Sequence, residues 1–395
     1  MVDFSIPTPI QNLVTRIHQF LEDVVIPLEA HADEDPQDGL PLERLKIARE
    51  QAKAAGLWCP TMPADLGGMG LSITEIIPVF EAAGRSLLGP LVMGCAAPDE
   101  GNLHLLHLFA SAEQRERYLK PLAAGEAFSA FSMTEPAPGV GSDPSMLRTT
   151  AHRDGNQWVI NGHKWWSTNA TQADFLIIMA RTDDSGGKSS ATLFLAPMDT
   201  PGIELMRNIP HLGGPDFGGH GEIRFNGLRL GDDAVLGDVG SGFALVQARL
   251  GPARLTHCMR WTGIAQRALE IAARYANTRE AFGTTLGGHQ AIQWMLADSA
   301  TELHAGRLMM QHCAWLIETG KDAKQEMSMC KVHVAETVNR VLDRAIQICG
   351  GLGISRDLPL ARWYESARAF RIYDGASEVH RMVVARRILK TYRKA

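Results

Sequence analysis

The sequence predicts an α+β protein in three consecutive parts, helical, then sheet, then helical. Three observations carry this. Apolar residues recur at helical spacing through the first third, short apolar or β-branched runs divided by turn residues fill the middle, and the helical period returns after Gly242 and persists. The divisions fall at residues 1–127, 128–240 and 241–395.

The first part shows its period in Ile10, Leu13, Val14, Ile17 and Leu21, and breaks at Pro/Gly clusters such as the one over 60–70. In the middle part the runs 147–152, 158–160, 175–180, 191–196 and 222–225 read as strands. Asp154-Gly155 and Asn161-Gly162 signal tight turns, and Gly186-Gly187 a hairpin tip. Long helical segments follow over 243–275, 289–318 and 328–349. No Ser- or Pro-rich linker marks either change, so the parts are expected to pack as one subunit.

Composition excludes several classes. The chain has 395 residues, 45% of them hydrophobic and 21% charged, which is enough apolar material for a packed core and argues against disorder. A formal charge of −5 gives no basic footprint for nucleic acid. The basic end over 386–394 reads as a last helix with its cations at the negative end of the dipole. Cys59, Cys95, Cys258, Cys313, Cys330 and Cys349 have no metal-like spacing, so neither a disulfide nor zinc is expected. His104 and His107 lack a carboxylate or thiol partner and read as helix packing. The start of the chain shows no leader and no run is long enough to span a membrane, which leads to a cytoplasmic protein as the expectation.

The chemistry centres on RIYDGASEVH, residues 371–380, where Asp374 stands beside a glycine near the end of a helical region. An isolated Asp-Gly is usually a turn. Three distant segments give it weight: FSMTEPAPGVGSD at 131–143, NGHKWWSTNA at 161–170 and RYANTREAFGTTLGGHQ at 274–290. Together with Asp374 they resemble the acyl-CoA dehydrogenase family of flavoenzymes, from about residue 120 to the C-terminus.

The resemblance implies an N-terminal helical domain, a β-barrel-like middle domain and a C-terminal four-helix bundle, with FAD as cofactor. Met133 and Thr134, on the strand FSMTEP, and Trp166 and Thr168, on KWWSTN, would meet the flavin ring. A tryptophan in a strand is otherwise usually core. Gly141 and Ser142, after Gly139, would let backbone approach phosphate and substrate, although TEPAPGVGSD carries two more residues than the family spacing. Arg279, Phe282, Leu286, His289 and Gln290, on or near one helical segment, would grip the FAD of a neighbouring subunit together with Gln347, Gly350 and Gly351. Ala376 stands where the family commonly has Thr, and Glu378 reads as structural or adenosine-side.

On the substrate side the resemblance places Asp374 as base for the C2 proton of an acyl-CoA thioester, with Arg254 near CoA, Tyr373 lining the acyl channel and Gly375 beside them. The family usually has Glu at 374. Asp is shorter by one methylene, about 1.5 Å. A subgroup carries Asp-Gly followed by Glu-Val-His, and also the run R-L-G-P-x-R-x-x-H-C-M-R found at 249–260. The base position used by other members falls on Ala253 and is lost. The implied partners are an electron-transfer flavoprotein and a second copy of the chain, in a homodimer or homotetramer. Two alternatives remain: an oxidase of small carbon acids, resembling nitroalkane oxidases, and a half-active flavin-binding subunit of a heteromer.

Overall fold

The computed structural model describes residues 5–182 and 190–393. The hairpin tip expected at Gly186-Gly187 lies outside them. The N-terminal part is helical, with principal helices α1 (Thr8–Phe20), α2 (Leu42–Ala54), α3 (Ile76–Ala83) and α4 (Asp99–Phe109).

Strands β1 (Ser129–Ser132), β2 (Thr150–Asp154), β3 (Gln157–Thr168), β4 (Phe175–Arg181), β5 (Ala191–Pro197), β6 (Ile203–Asn208), β7 (His220–Leu230) and β8 (Val235–Leu236) follow. They form one sheet in the order β6-β7-β3-β2-β4-β5-β8, with β1 also on β4. The pairs β1–β4 and β2–β4 are parallel and the others antiparallel. The sheet curls. Trp158 of β3 and Phe194 of β5 are three ladder steps apart, about 14 Å in a flat sheet, yet their ring centroids lie 5.6 Å apart. The middle domain is thus barrel-like, with β6 and β8 unpaired to each other among the described residues.

Strands β4 and β5 are buried on both faces, which explains their unbroken apolar runs. Leu176, Ile178, Ala180, Phe194 and Ala196 face the inside of the curl. Phe175, Ile177, Met179, Leu193 and Leu195 face α4 residues Leu103, Leu105 and Leu106. Asp154-Gly155 is the β2–β3 turn as expected, with Gly155 at φ 61. Asn161-Gly162 is not a turn. It lies inside β3 at a register shift, where the Asn161 side chain accepts the Gly227 N–H at 2.8 Å. A Cβ on Gly162 would come within 2.3 Å of Thr149 Oγ1, so the glycine serves strand approach.

The C-terminal part contains α5 (Gly242–Thr278), the two-strand hairpin β9 (Glu280–Ala281) and β10 (Thr284–Thr285), α6 (Gln290–Glu318), α7 (Lys324–Cys349), α8 (Leu360–Arg368) and α9 (Ser377–Thr391). Helix α7 packs on α5, α6 and α9 in a four-helix arrangement. The two helical parts share one core, running from Ile10 and Phe80 to Leu342 and Phe370. Their contact is tightest at Gly263 of α5, where a Cβ would sit 2.1 Å from the Glu81 carbonyl oxygen. Arg307–Glu81 and Arg267–Glu29 ion pairs, at 2.6 and 2.7 Å, cross the same seam. All six cysteines are free and buried, and no described helix is long and apolar enough to cross a membrane.

Candidate active site

Asp374 sits in the short segment between α8 and α9 with φ 54, a left-handed conformation that few residues other than glycine adopt. Side chains from three helices hold that segment. Arg254 Nε of α5 donates to the Asp374 carbonyl at 2.8 Å, His380 Nε2 of α9 to the same oxygen at 3.2 Å, and Lys331 Nζ of α7 to the Gly375 carbonyl at 3.0 Å. Gly375 has φ 100, and a Cβ there would come within 2.7 Å of His380 Nε2. Burial pulls the Lys331 ammonium down to about 8.

The Asp374 carboxylate is 19% exposed, and its Oδ2 lies 3.2 Å from His257 Nε2. Burial alone would raise its pKa. The His257 hydrogen bond and the Arg249 and Arg254 charges outweigh burial and hold the carboxyl well below the usual range. His257 is pushed down by its own burial and by Arg260, against the opposing pull of Asp374. Arg254 makes no ion pair among the described residues and has its Nε committed to the candidate base. Tyr373 is half-buried against the helical core: its hydroxyl accepts from Trp261 Nε1, and its ring lies 4.8 Å from His257 and 5.5 Å from Phe370.

On the sheet side, Met133 and Thr134 lie just beyond β1, which ends at Ser132. The strand expected through residue 136 stops because the chain turns in around Glu135. That carboxylate accepts from the N–H groups of Val140, Arg148 and Thr149 and pairs with buried Lys164 at 2.8 Å. Lys164 also donates to the Met133 carbonyl at 2.8 Å, and Thr134 O accepts from Trp165 N at 3.0 Å. Burial would raise Glu135, but Lys164 and the loop donors hold it low. Gly139 is tight against Glu135, whereas Gly141 has nothing within 4 Å of a built Cβ and Ser142 is exposed.

Trp166 lies on β3 but is not core. The register shift between Lys164 and Ser167 puts it at φ 55 and leaves it 41% exposed, projecting from the sheet. Thr168 Oγ1 is 3.0 Å from His220 Nδ1. The two sides of the site connect through Arg249, whose charge acts on Asp374 and whose guanidinium lies 4.3 Å over the Phe131 ring of β1. A Ser132–Ser167 hydroxyl bond of 2.9 Å then ties β1 to the strand bearing Trp166.

Arg279, Phe282, Leu286, His289 and Gln290 do not share one helix. They span the end of α5, the β9–β10 hairpin, a 3-10 turn and the first residue of α6. Phe282 and Gly283, with φ 55 and 83, form the hairpin tip between the helical stretches expected over 243–275 and 289–318. Phe282 is 97% exposed. Gln347, Gly350 and Gly351 are likewise exposed at the end of α7, and Cβ atoms on either glycine would meet nothing within 4 Å. Ala376 precedes α9, and Glu378 is exposed in its first turn. These residues fit FAD: an outward indole, a bared phenyl and open glycine backbone are the surfaces a flat ring and a pyrophosphate require.

Two groups escaped the sequence reading. His257 is three residues from Arg254, hence on the same helix face, and only the HCM run hinted at it. His211, Asp216 and His220 converge with ligand atoms within 4.8 Å of one another, beside Trp166. His211 and Asp216 lie in a Gly-rich loop that leads into β7 at His220, and its glycines at 213, 214, 218 and 219 all have positive φ, a reversal with no sequence period.

Family models for the N-terminal, middle and C-terminal domains of acyl-CoA dehydrogenase match residues 10–126, 130–228 and 240–389. The chain therefore belongs to the acyl-CoA dehydrogenase family and is an FAD-dependent oxidoreductase. "Probable acyl-CoA dehydrogenase FadE2" of Mycobacterium tuberculosis is 39% identical, over 98% of this chain and 96% of that protein. A Mycobacterium abscessus structure assigned as an acyl-CoA dehydrogenase superposes with TM-score 0.93 at 40% identity, covering 99% and 100% of the two chains. Butyryl-CoA dehydrogenase from Megasphaera elsdenii gives 0.88 at 26% identity, covering 98% and 100%.

Proposed function

We propose that this protein dehydrogenates an acyl-CoA thioester to the 2-enoyl-CoA, with Asp374 taking the C2 proton. The observation that carries the reading is the Asp374 carboxylate itself, largely buried yet held ionised by His257 and two arginines. Its backbone N–H has no protein acceptor among the described residues, so it is free to donate to a thioester oxygen and acidify C2. FAD, when bound, supplies the acceptor for the C3 hydride. Trp166 and Thr168 would border the ring of that FAD, with Met133 and Thr134 at its edge. The exposed set from Arg279 to Gln290, with Gln347, Gly350 and Gly351, would serve the FAD of a second copy.

That arrangement requires at least a homodimer, and a homotetramer built from two such dimers is consistent with it. An electron-transfer flavoprotein is the proposed acceptor of electrons from the reduced enzyme, and the cytoplasm its compartment. The three parts divide at residues 127 and 240. The test is anaerobic mixing with straight, branched and cyclic acyl-CoA thioesters while flavin bleaching is followed. Rapid bleaching by one class supports the reading, and Asp374→Asn should keep FAD and thioester affinity while losing it. Failure of every thioester to bleach a dithionite-reducible flavin would favour the small-carbon-acid oxidase or the half-active subunit of a heteromer instead.

A further inference from the structure

Resting on the reading of Asp374 as the base, we infer that His257 is a positioning residue that fixes its short carboxylate through a relay beginning at Arg260. The hydrogen-bond directions determine the relay. Arg260 Nη2 lies 3.1 Å from His257 Nδ1, and a guanidinium only donates, so Nδ1 accepts. The proton of the neutral imidazole is then on Nε2, which faces Asp374 Oδ2 at 3.2 Å. Oδ2 is thereby held, and Oδ1 is the oxygen left to receive the C2 proton.

Arg260 is itself fixed by the N-terminal part. Its Nη1 donates to the Cys95 carbonyl at 2.7 Å and stands 3.7 Å from Glu100 of α4, whose carboxylate also accepts from Thr256 at 3.0 Å. The line Glu100, Arg260, His257, Asp374 therefore carries the placement of one helix to the base on another segment. His257 cannot be the base in this arrangement, because neither ring nitrogen has a free lone pair. A shorter carboxylate needs such a clamp because an Asp side chain reaches one methylene less far, and a misplacement of about 1 Å costs on the order of a hundredfold in rate.

The experiment separates proton transfer from oxidation. The FAD-loaded protein is given a thioester with sulfur in place of C3, which cannot release hydride, and exchange of its C2 protons with D2O is followed by NMR across pH. The charged and titratable groups facing Asp374 are His257, Arg249 and Arg254 from α5, Lys331 from α7, His380 from α9 and the adjacent Tyr373, so the pH profiles are compared among substitutions at 257 alone. His257→Leu should slow exchange about tenfold to a hundredfold, leave thioester affinity unchanged and move the acid midpoint upward, since a donor to the ionised form is lost. His257→Gln, which places an amide N–H near the Nε2 position, should recover most of the rate and midpoint. Equal rates in wild type and His257→Leu, or a Gln variant as slow as Leu, would overturn the positioning role.

A 15N spectrum of histidine-labelled wild type, assigned by difference from His257→Gln, gives a readout independent of turnover. It should show the neutral Nε2–H tautomer, and the Nδ1–H form would overturn the relay. Asp374→Asn tells the two readings apart: exchange at the wild-type rate there removes the base itself, whereas its loss with normal exchange in His257→Leu removes the clamp alone.

Discussion

Lengthening the proposed base by one methylene is the most demanding test of the site, because the backbone around it has nowhere to go. In Asp374→Glu the carboxylate moves about 1.5 Å outward. A free loop would absorb that by retreating, but this segment is held by Arg254, His380 and Lys331, at 2.8, 3.2 and 3.0 Å. The bonds from the charged Arg254 and Lys331 contribute about 1.5–3 kcal/mol each and the one from His380, which burial keeps neutral, about 0.5–1.5 kcal/mol, so retreat costs more than misplacement saves. The longer carboxylate also passes the His257 Nε2 donor that meets Oδ2 at 3.2 Å. With about a hundredfold lost per ångström of misplacement, flavin reduction by the best thioester should slow by about a hundredfold or more. Stopped-flow bleaching under anaerobic conditions measures it, with FAD content as the control. A Glu variant that reduces its flavin as fast as wild type would refute the claim that this backbone is built for the shorter acid.

Four further outcomes are expected. Gly263→Ala places a Cβ 2.1 Å from the Glu81 carbonyl, and overpacking of that kind should lower stability by about 1–3 kcal/mol, read as a drop in Tm. Lys164→Met strands the Glu135 carboxylate, 3% exposed, without its cation, which should cost about 3–5 kcal/mol and release FAD on gel filtration. Phe282→Asp, at a tip exposed by 97%, should leave the monomer folded by circular dichroism but shift the oligomer toward smaller mass with loss of FAD. Asp374 has its pKa held below the unfolded value of about 3.9, so its contribution to stability is present above that pH and is lost only as pH falls through the depressed folded value. The acid limb of kcat/KM, measured in the free enzyme's range, should therefore not begin near neutrality.

Much of the fold was legible because burial imposes a period. Helices α5, α6 and α7 follow the 3.6-residue repeat that predicted them, and β4 and β5 show the continuous apolar runs of strands covered on both faces. The misreadings lie where backbone geometry, not burial, decides. Asn161-Gly162 has the letters of a turn, but its glycine answers to Thr149 across the sheet and its asparagine to Gly227, neither near in sequence. The segment from Arg279 to Gln290 reads as on or near one helical segment and gives no sign of its hairpin, because Phe282 takes a positive φ that no propensity scale assigns to phenylalanine. Strand β6 was missed because its residues are mostly exposed and carry no apolar alternation.

The candidate base could be singled out in the sequence, but its setting could not. Asp374 pairs with a histidine more than a hundred residues earlier, and the residue at the heart of the site is held in a left-handed conformation that costs on the order of 1–3 kcal/mol. Aspartate tolerates that conformation better than glutamate, because a short polar side chain can bond close to its own backbone. The three donors that pin the segment offset the strain, and the same donors prevent the backbone from accommodating a longer acid. Shortness of the acid and rigidity of its backbone are thus one arrangement: substituting either alone breaks the geometry that the other requires.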